Sequence, residues 1–571
     1  MVNRSDTGAQ SSSPNSTGLQ NMSKSDPGRP DQNALSQLGS DLDREDVETA
    51  RAIEEADNGN DSPHTASISS SSSSAEDRIV ISFSPDDPGN PLNWSTKKKT
   101  YTFCVGISTV INSTLGSALP SNATTYIADD FHITIQEQLV LPISIYLIGY
   151  VVGPLFLGPL SEAYGRRIMM IAPFSVFTIF TMACALAPNW PALIVFRFIV
   201  GVMASSPVSV VGGLFADIYG DPVTRGRAMA LFMAATTLGP LLAPIISGFV
   251  SVVSWRWTFW IGLIVAGVSW LPVYLLPESY GPVILKQRAA KMRKEQGKDN
   301  IFAPIELSEQ TTIQMLVRTL TRPLRMIIFE SIVLFTCLYL SLCYALFYLF
   351  FESYPIIFQG TYGMSTGISG LAFLPIGVGA FIACGLFVWY DSILQQAKQR
   401  RAPWAMSEEY RRLPLACVGG PIFSISLFWL GWSARADVHW IVPMLAGIPF
   451  GIGFLLIFMA FLNYLTDAYE TFAASALAAA SCCRSIFGAV LPFAAQPMYA
   501  KLGVDWASSL LGFLSLGMVI IPFVFIRYGD RIRANSKFCQ YLKEQKTAAE
   551  SGGQPASPAE APPSRDEEEK G

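Results

Sequence analysis

Residues 158–167 read GPLSEAYGRR. A mostly apolar run, LVLPISIYLIGYVVGPLFLGPL, leads into them, and another, IMMIAPFSVFTIFTMACALA, follows. Each run has about the twenty residues a helix needs to cross a hydrocarbon core. Two such runs joined by a tight turn with one acid and two arginines form a membrane hairpin. Its charges sit where the chain returns to water.

The rest of the chain agrees. Apolar residues make up 50% of the 571 positions and charged residues only 15%, against about 25% charged in soluble domains. That deficit points to a membrane protein. No basic domain suggests a nucleic-acid partner. Of nine cysteines, eight lie in apolar runs and Cys539 in the C-terminal tail, so they read as small buried side chains rather than a disulfide framework. The chain opens polar, without a signal peptide, so the first span is expected to act as the internal signal.

Twelve spans are expected, near 99–119, 138–158, 168–187, 191–213, 228–250, 256–276, 327–350, 365–389, 414–431, 440–463, 470–495 and 507–527. The fold class is therefore an all-α membrane protein of twelve transmembrane helices in two pseudo-symmetric six-helix bundles. The expected organisation is a disordered tail over 1–95, a first bundle over 96–278, a connecting loop over 279–325, a second bundle over 326–530 and a C-terminal tail over 531–571. The first tail is rich in Ser, Asp, Asn and Pro and has too little apolar surface to offset ordering entropy. Within the connecting loop, Ile313, Leu316, Val317 and Leu320 repeat at helical spacing. Such a stripe suits a helix in the membrane surface or one packed on the bundle. Eighteen Lys and Arg fall in the even-numbered connections and three in the odd ones. The positive-inside rule then places both termini in the cytosol.

Between spans 8 and 9 stands GLFVWYDSILQQAKQRR (385–401), with Tyr390 and Asp391 ahead of basic residues. It is a faint echo of the first hairpin, and paired halves of this kind are the architecture of a rocking transporter. Gly158 and Gly165 suit close helix approach and a tight turn. Glu162 with Arg166 and Arg167 suits a cytosolic gate that latches and releases; the plainer reading makes the arginines topology determinants. Arg197 lies inside span 4, where an arginine is costly unless it meets a cavity or a partner. It reads as holding a proton-bearing group or anion, or as snorkelling from a helix end. Gly239, Pro240, Pro244 and Gly248 in span 5 read as a hinge, because each proline removes a helix hydrogen bond.

These motifs resemble the major facilitator superfamily. Gly158, Leu160, Glu162, Gly165, Arg166 and Arg167 are similar to its Gly-x-Leu-x-Asp-x-x-Gly-Arg signature, with Glu162 in place of the usual Asp. Arg197 and Gly201 resemble its span-4 signature. Gly239, Pro240 and Gly248 resemble the antiporter signature of span 5, with Ala243 where glycine is common. NPLNWSTKKK (90–99), LFADIYGDPVTRGRAMAL (214–231), LPESYGPVILKQRA (276–289) and YLTDAYETFAASALAAASCCRSIFGA (464–489) are similar to fungal twelve-span drug:proton antiporters. The resemblance covers roughly 90–535. It implies proton-coupled efflux of small amphipathic or cationic molecules (drugs, fungicides or a toxin) across the plasma membrane. A polyamine exporter, a nutrient uptake facilitator and a vacuolar location are the alternatives. It also implies that Glu162 and Arg197 form one charge relay.

Proton coupling calls for a titrating group exposed to each side in turn. Arg197, Glu330 and Arg484 are the coupling candidates, with Glu352, Asp467, Glu470 and His439 nearer the ends of spans. Asn112, Tyr146, Tyr344, Phe347, Tyr348 and Asn463 are the expected substrate contacts, since aromatic faces with a few polar groups hold varied ligands. Asn122-Ala-Thr124 is a glycosylation sequon in the first outer loop. Three scattered histidines form no compact catalytic motif, and no phosphate-binding loop suggests ATP as the energy source. A non-enzymatic, cofactor-free carrier is expected, acting as a monomer on a small-molecule substrate and protons in the lipid bilayer.

Overall fold

The computed structural model describes residues 79–297, 300–307, 312–469 and 473–534, with Ser536 and Gln540. Most of both tails, Glu470, Cys539 and the side chains of 312–320 lie outside the described residues. The fold is helical, apart from one short two-stranded ladder.

The first bundle holds α1 (Thr96–Ala118), α2 (Leu141–Tyr164), α3 (Arg166–Ala185), α4 (Trp190–Ile218), α5 (Pro222–Val250) and α6 (Arg256–Tyr274). The second holds α7 (Ser331–Tyr354), α8 (Leu374–Gln399), α9 (Glu408–Ser433), α10 (Gly447–Tyr469), α11 (Ala473–Val490) and α12 (Ala495–Met518, continued by Ile520–Ala534). Eleven segments are long and apolar enough to span, and the last, Ala473–Ala534, has 62 residues. At 1.5 Å per residue it would reach roughly 90 Å, three times the hydrocarbon thickness. It makes two crossings, separated by the 3₁₀ turn Leu491–Ala494 and by Gly503 at φ 75°. The twelve spans of the sequence reading are thus accommodated.

Local signals set several ends. Asn189 accepts from Ala192 N (3.0 Å) to cap α4, and Asp221 accepts from Thr224 N (2.9 Å) to cap α5, which begins with proline. These bonds satisfy amides that the helix itself cannot.

Small residues let helices touch backbone to backbone. A Cβ on Gly149 would stand 2.5 Å from Val202 N, and one on Gly201 would run into the Tyr146 carbonyl, so α2 and α4 press together there. In the second half, Cβ atoms on Gly379 and Gly451 would collide with the Ile448 and Ile376 carbonyls, joining α8 to α10 in the same way. In lipid, such packing replaces the hydrophobic drive of water. The outer faces of α3, α6, α9 and α12 carry exposed apolar side chains, including Ile179, Val268, Ile425 and Phe513. So much exposed apolar surface fits a lipid solvent.

The bundles meet through α2 with α11 and α5 with α8. Ser144 Oγ donates to Ala489 O (2.7 Å) across the first seam. Across the second, Thr366 Oγ1 donates to Gly248 O (3.1 Å), and a Cβ on Gly370 would stand 2.6 Å from Pro244 O. This end, opposite the Arg166 turn, is sealed. Towards the arginine-rich end, a Cβ on Gly158, Gly226 or Gly385 would meet nothing within 4 Å.

Residues 79–95 differ from the expected disordered tail. Strand β1 (Ile79–Val80) pairs in parallel with β2 (Ile301–Phe302), Ile79 opposite Ile301. Ile81 and Phe83 pack on Leu285, Ala289, Ile301 and Ala303, and Arg288 grips Asp87 with two bonds of 2.5 and 3.1 Å. A few apolar residues in a polar stretch suffice because the connecting segment supplies the rest of the core. The helix Thr312–Phe329 packs on α11 and α2; the side chains of its stripe, Ile313, Leu316, Val317 and Leu320, lie outside the described residues.

Candidate functional site: a central cavity and its braces

Inside the sealed end a narrow cavity of about 20 Å³ lies between the bundles. Thr114, Tyr150, Val208, Thr236, Thr237 and Pro240 line it from α1, α2, α4 and α5. Tyr344, Phe347, Phe454, Phe458 and Arg484 line it from α7, α10 and α11. A drug-sized ligand needs roughly 300 Å³ or more, so the bundles must move apart to admit one. Among the described lining residues Arg484 is the one charged group, and no carboxylate is present.

Of the expected substrate contacts, Tyr344 and Phe347 reach this cavity and the others do not line it. Asn112 is buried between α1 and α6, donating to Ser108 O and Ser269 Oγ, both at 2.8 Å. Asn463 donates to Met459 O (2.6 Å), one helical turn back. Tyr146 is fully buried and donates to Ser113 O (2.5 Å). The Tyr348 hydroxyl pairs with Ser117 Oγ (2.7 Å), tying α7 to α1 across the bundles. Tyr150, Phe454 and Phe458 were missed. The i, i+4 spacing of Phe454 and Phe458 was visible, but α10 is apolar all round, and periodicity cannot then tell the lipid face from the cavity face.

Arg197 is 1% exposed. Its Nε donates to Pro142 O (2.8 Å), Nη1 to Gly116 O (2.8 Å) and Nη2 to Ser117 O (3.0 Å), and the group stacks over the Tyr146 ring at 4.4 Å. Gly116 and Ser117 close α1, where the last carbonyls lack intrahelical partners and the dipole is negative. The guanidinium supplies those partners. It therefore clamps α1, α2 and α4, and neither snorkels nor holds an anion in this conformation. The relay to Glu162 is not made. Arg197 contacts α2 at Pro142, and Glu162 lies twenty residues along the same helix, roughly 30 Å away.

The expected cytosolic gate is wired within the first bundle. Gly165 has φ 102°, a conformation that suits glycine, and a Cβ there would collide with Glu278. Glu278 accepts from Arg166 N (2.9 Å) and Arg167 N (3.1 Å) at the start of α3. Arg166 also meets Asp217 at 3.3 Å, Ser161 Oγ at 2.6 Å, Glu162 at 3.9 Å and the Tyr280 ring at 4.8 Å. Outside the span, burial and the nearby Glu162 push the Tyr280 phenol up to about 12. Arg167 donates to Tyr274 O (3.4 Å). No ionic partner of Glu162, Arg166 or Arg167 among the described residues belongs to the second bundle, so no latch across the halves is made here. Gly158 makes no close approach. Asp217 and Glu278, both missed as site residues, stood in the quoted stretches LFADIYG and LPESYG.

The remaining candidates separate. Glu330 is buried and accepts from the Tyr469 hydroxyl (2.9 Å), away from the cavity lining. Glu352 has a buried Oε1 without a hydrogen-bond partner. Asp467 pairs with Arg412 at 3.0 Å, and the His439 ring lies tilted against Trp440 at 5.2 Å. In span 5, α5 runs unbroken through Pro240 and Pro244. A Cβ on Gly239 would collide with the Thr114 hydroxyl, and one on Gly248 with the Thr366 carbonyl. These residues form contact surfaces with α1 and the α8 lead-in. Asn122 is 5% exposed, and its Nδ2, the atom a glycan would occupy, donates to Pro244 O (2.9 Å) and Thr366 O (3.4 Å). The expected glycan has no room here. Asn122 instead fastens the sealed end.

Two six-helix halves around a central cavity are the architecture of a membrane transporter. Residues 103–492 match the family model described as Major Facilitator Superfamily, and the chain belongs to that family. It is 39% identical over 463 residues to the citrinin biosynthesis cluster MFS transporter mrr1 of Monascus ruber, covering 80% of this chain and 91% of that protein. It is 38% identical over 467 residues to the efflux pump FUBT of Fusarium oxysporum, covering 81% and 78%. Among solved structures, the proton:xylose symporter XylE bound to 6-bromo-6-deoxy-D-glucose superposes with a TM-score of 0.56 at 17% identity, covering 76% of this chain and 97% of that one. At that identity the likeness speaks for the fold.

Proposed function

We propose that this chain is a proton-driven exporter of small amphipathic organic molecules, working by alternating access as a monomer in the plasma membrane. The arginine-rich end and both termini face the cytosol, as the distribution of Lys and Arg favours. The observation that carries the reading is the aromatic cavity between the bundles, sealed opposite the arginine-rich end. A cargo entering from the cytosol would meet it, and export follows when the seal at Asn122, Pro244, Gly248 and Thr366 opens. The names of the relatives, an efflux pump and a biosynthesis-cluster transporter, support a secondary metabolite or toxin as cargo. A polyamine is disfavoured, because the described lining offers a polycation no carboxylate.

Glu352 and Glu330 are the proposed proton-carrying acids. Glu352 combines a buried, unpaired oxygen with a place at the sealed end of α7. Arg197 acts by holding α1, α2 and α4 in register. The test is transport in inside-out vesicles under an imposed pH gradient, with a panel of fungal toxins, azoles and polyamines. Gradient-dependent uptake of at least one toxin or azole supports the reading. Uptake indifferent to the gradient would point to a facilitator instead.

A further inference from the structure

We propose that the cavity selects aromatic organic anions, carboxylates or sulfonates on a ring system, with Arg484 as the anion's partner. This rests on the efflux reading above and narrows its substrate class.

Four arginines of the bundles have firm partners. Arg166, Arg412 and Arg533 each face an acid: Asp217 at 3.3 Å, Asp467 at 3.0 Å and Glu409 at 2.5 Å. Arg197 has three backbone carbonyls. Arg484 has neither arrangement. Its Nη2 reaches Ser481 Oγ at 3.4 Å, its guanidinium stands 5.3 Å from the Tyr344 ring centre, and its buried Nε has no hydrogen-bond partner. No described carboxylate lies within salt-bridge distance of it, and its side chain lines the cavity. An arginine at membrane depth is expected to meet a partner or a polar cavity. Here the missing partner is an anion, and the planar guanidinium fork matches a carboxylate or sulfonate edge.

The surrounding wall describes the rest of the cargo. Phe347 stacks on Phe454 at 5.0 Å, Phe454 lies tilted against Phe458 at 4.5 Å, and Tyr344 stands 6.2 Å from Phe458. These rings present faces and edges to a flat hydrophobe beside the cation. A cationic cargo would meet a like charge with no compensating acid in the lining. An anion also neutralises Arg484, so the filled cavity is less costly than the empty one to close away from water. Binding is thereby linked to occlusion.

The test uses three probes of one shape: 2-naphthalenesulfonate, neutral 2-naphthalenesulfonamide and the cation (2-naphthylmethyl)trimethylammonium. Binding is read by calorimetry on the full chain in nanodiscs, and transport in proteoliposomes under a pH gradient. The sulfonate is expected to bind roughly tenfold or more tighter than the other two, the ordinary effect of a charge-assisted pair. Arg484→Gln should erase that preference, with a monodisperse, cooperatively melting protein showing that the variant is folded. Arg484→Lys should keep part of the preference. Equal affinity for all three probes, a preference for the cation, no binding of any probe, or an anion preference that survives Arg484→Gln would overturn the proposal. Anion-selective binding without transport of any probe would sink the efflux reading and leave the Arg484 assignment standing.

Discussion

Arg412 Nε lies 3.0 Å from Asp467 Oδ2, and the first half of the chain repeats the relationship, with Arg166 Nε 3.3 Å from Asp217 Oδ2. In each half the arginine opens the third span and the aspartate closes the fourth. A cation at a helix start and an acid at a helix end both oppose the helix dipole. Each pair therefore offsets two unfavourable placements at once. The third element is also mirrored. Glu278, beyond α6, receives the amides that begin α3, whereas Glu409, at the start of α9, grips Arg533 at the end of α12. These are braces within each bundle; under the proposed alternating access they would keep it rigid while the bundles move.

Breaking one brace should loosen its own bundle. Asp467→Asn and Asp217→Asn are each expected to cost on the order of 1–3 kcal/mol, between the exposed and buried limits for ion pairs. The melting temperature of the purified protein checks this. The swap Arg412→Asp with Asp467→Arg should recover only part of the loss, because the dipoles now favour each charge but the surroundings were built for the original order. A melting temperature unmoved by either single change would remove the bracing role.

Arg197→Ala leaves the carbonyls of Pro142, Gly116 and Ser117 without their shared donor. The expected destabilisation is on the order of 3–5 kcal/mol, with transport lost alongside. Arg197→Lys should recover little, since one ammonium cannot reproduce the fork. A variant that melts normally but transports without a proton gradient would instead assign Arg197 to coupling.

Glycosidase treatment should leave the gel mobility of the protein unchanged, because Asn122 is folded into the sealed end. Asn122→Ala removes its bonds to Pro244 and Thr366 and should favour the form open at that end. Faster labelling of a cysteine placed at Thr366 would report it. A mobility shift that Asn122→Gln abolishes would show a glycan after all.

Asp87 gives the pH dependence of the docked segment. The Arg288 hydrogen bonds, then that of Gly89 N, hold its carboxyl below the ordinary range. Its folded value is depressed, so its contribution is complete above the unfolded value of about 3.9 and is lost as pH falls through the folded value. Protease protection of residues 79–95 should be level from neutral pH down to about 5 and fall only below about 4. Asp87→Asn should show the weaker protection already at neutral pH. Loss of protection between pH 6 and 7 in the parent protein would contradict the assignment, by placing the titration on another group.

The spans and the two halves could be read from the sequence because length, hydropathy and turn charge are local properties. GPLSEAYGRR announced a hairpin, and Gly165 and Arg166 do make its turn. What escaped was tertiary. Nothing near Arg197 in sequence shows that its partners are carbonyls at the end of α1, eighty residues earlier. Asn112, Asn463 and Tyr146 looked like cavity groups because polar atoms in a span need partners, but neighbouring helices supply those partners. Residues 79–95 looked unstructured because the apolar surface that Ile81 and Phe83 cover lies two hundred residues on.

Alternating access requires reciprocal motion of the two bundles about the Arg484 cavity. Spin labels at Val253 and Gly360 report across the sealed end, and labels at Arg225 and Gln399 across the other, in a background with the native cysteines replaced. Pulsed electron–electron distances under a pH gradient with cargo should lengthen for the first pair as they shorten for the second. Turnover with both distances fixed would contradict it.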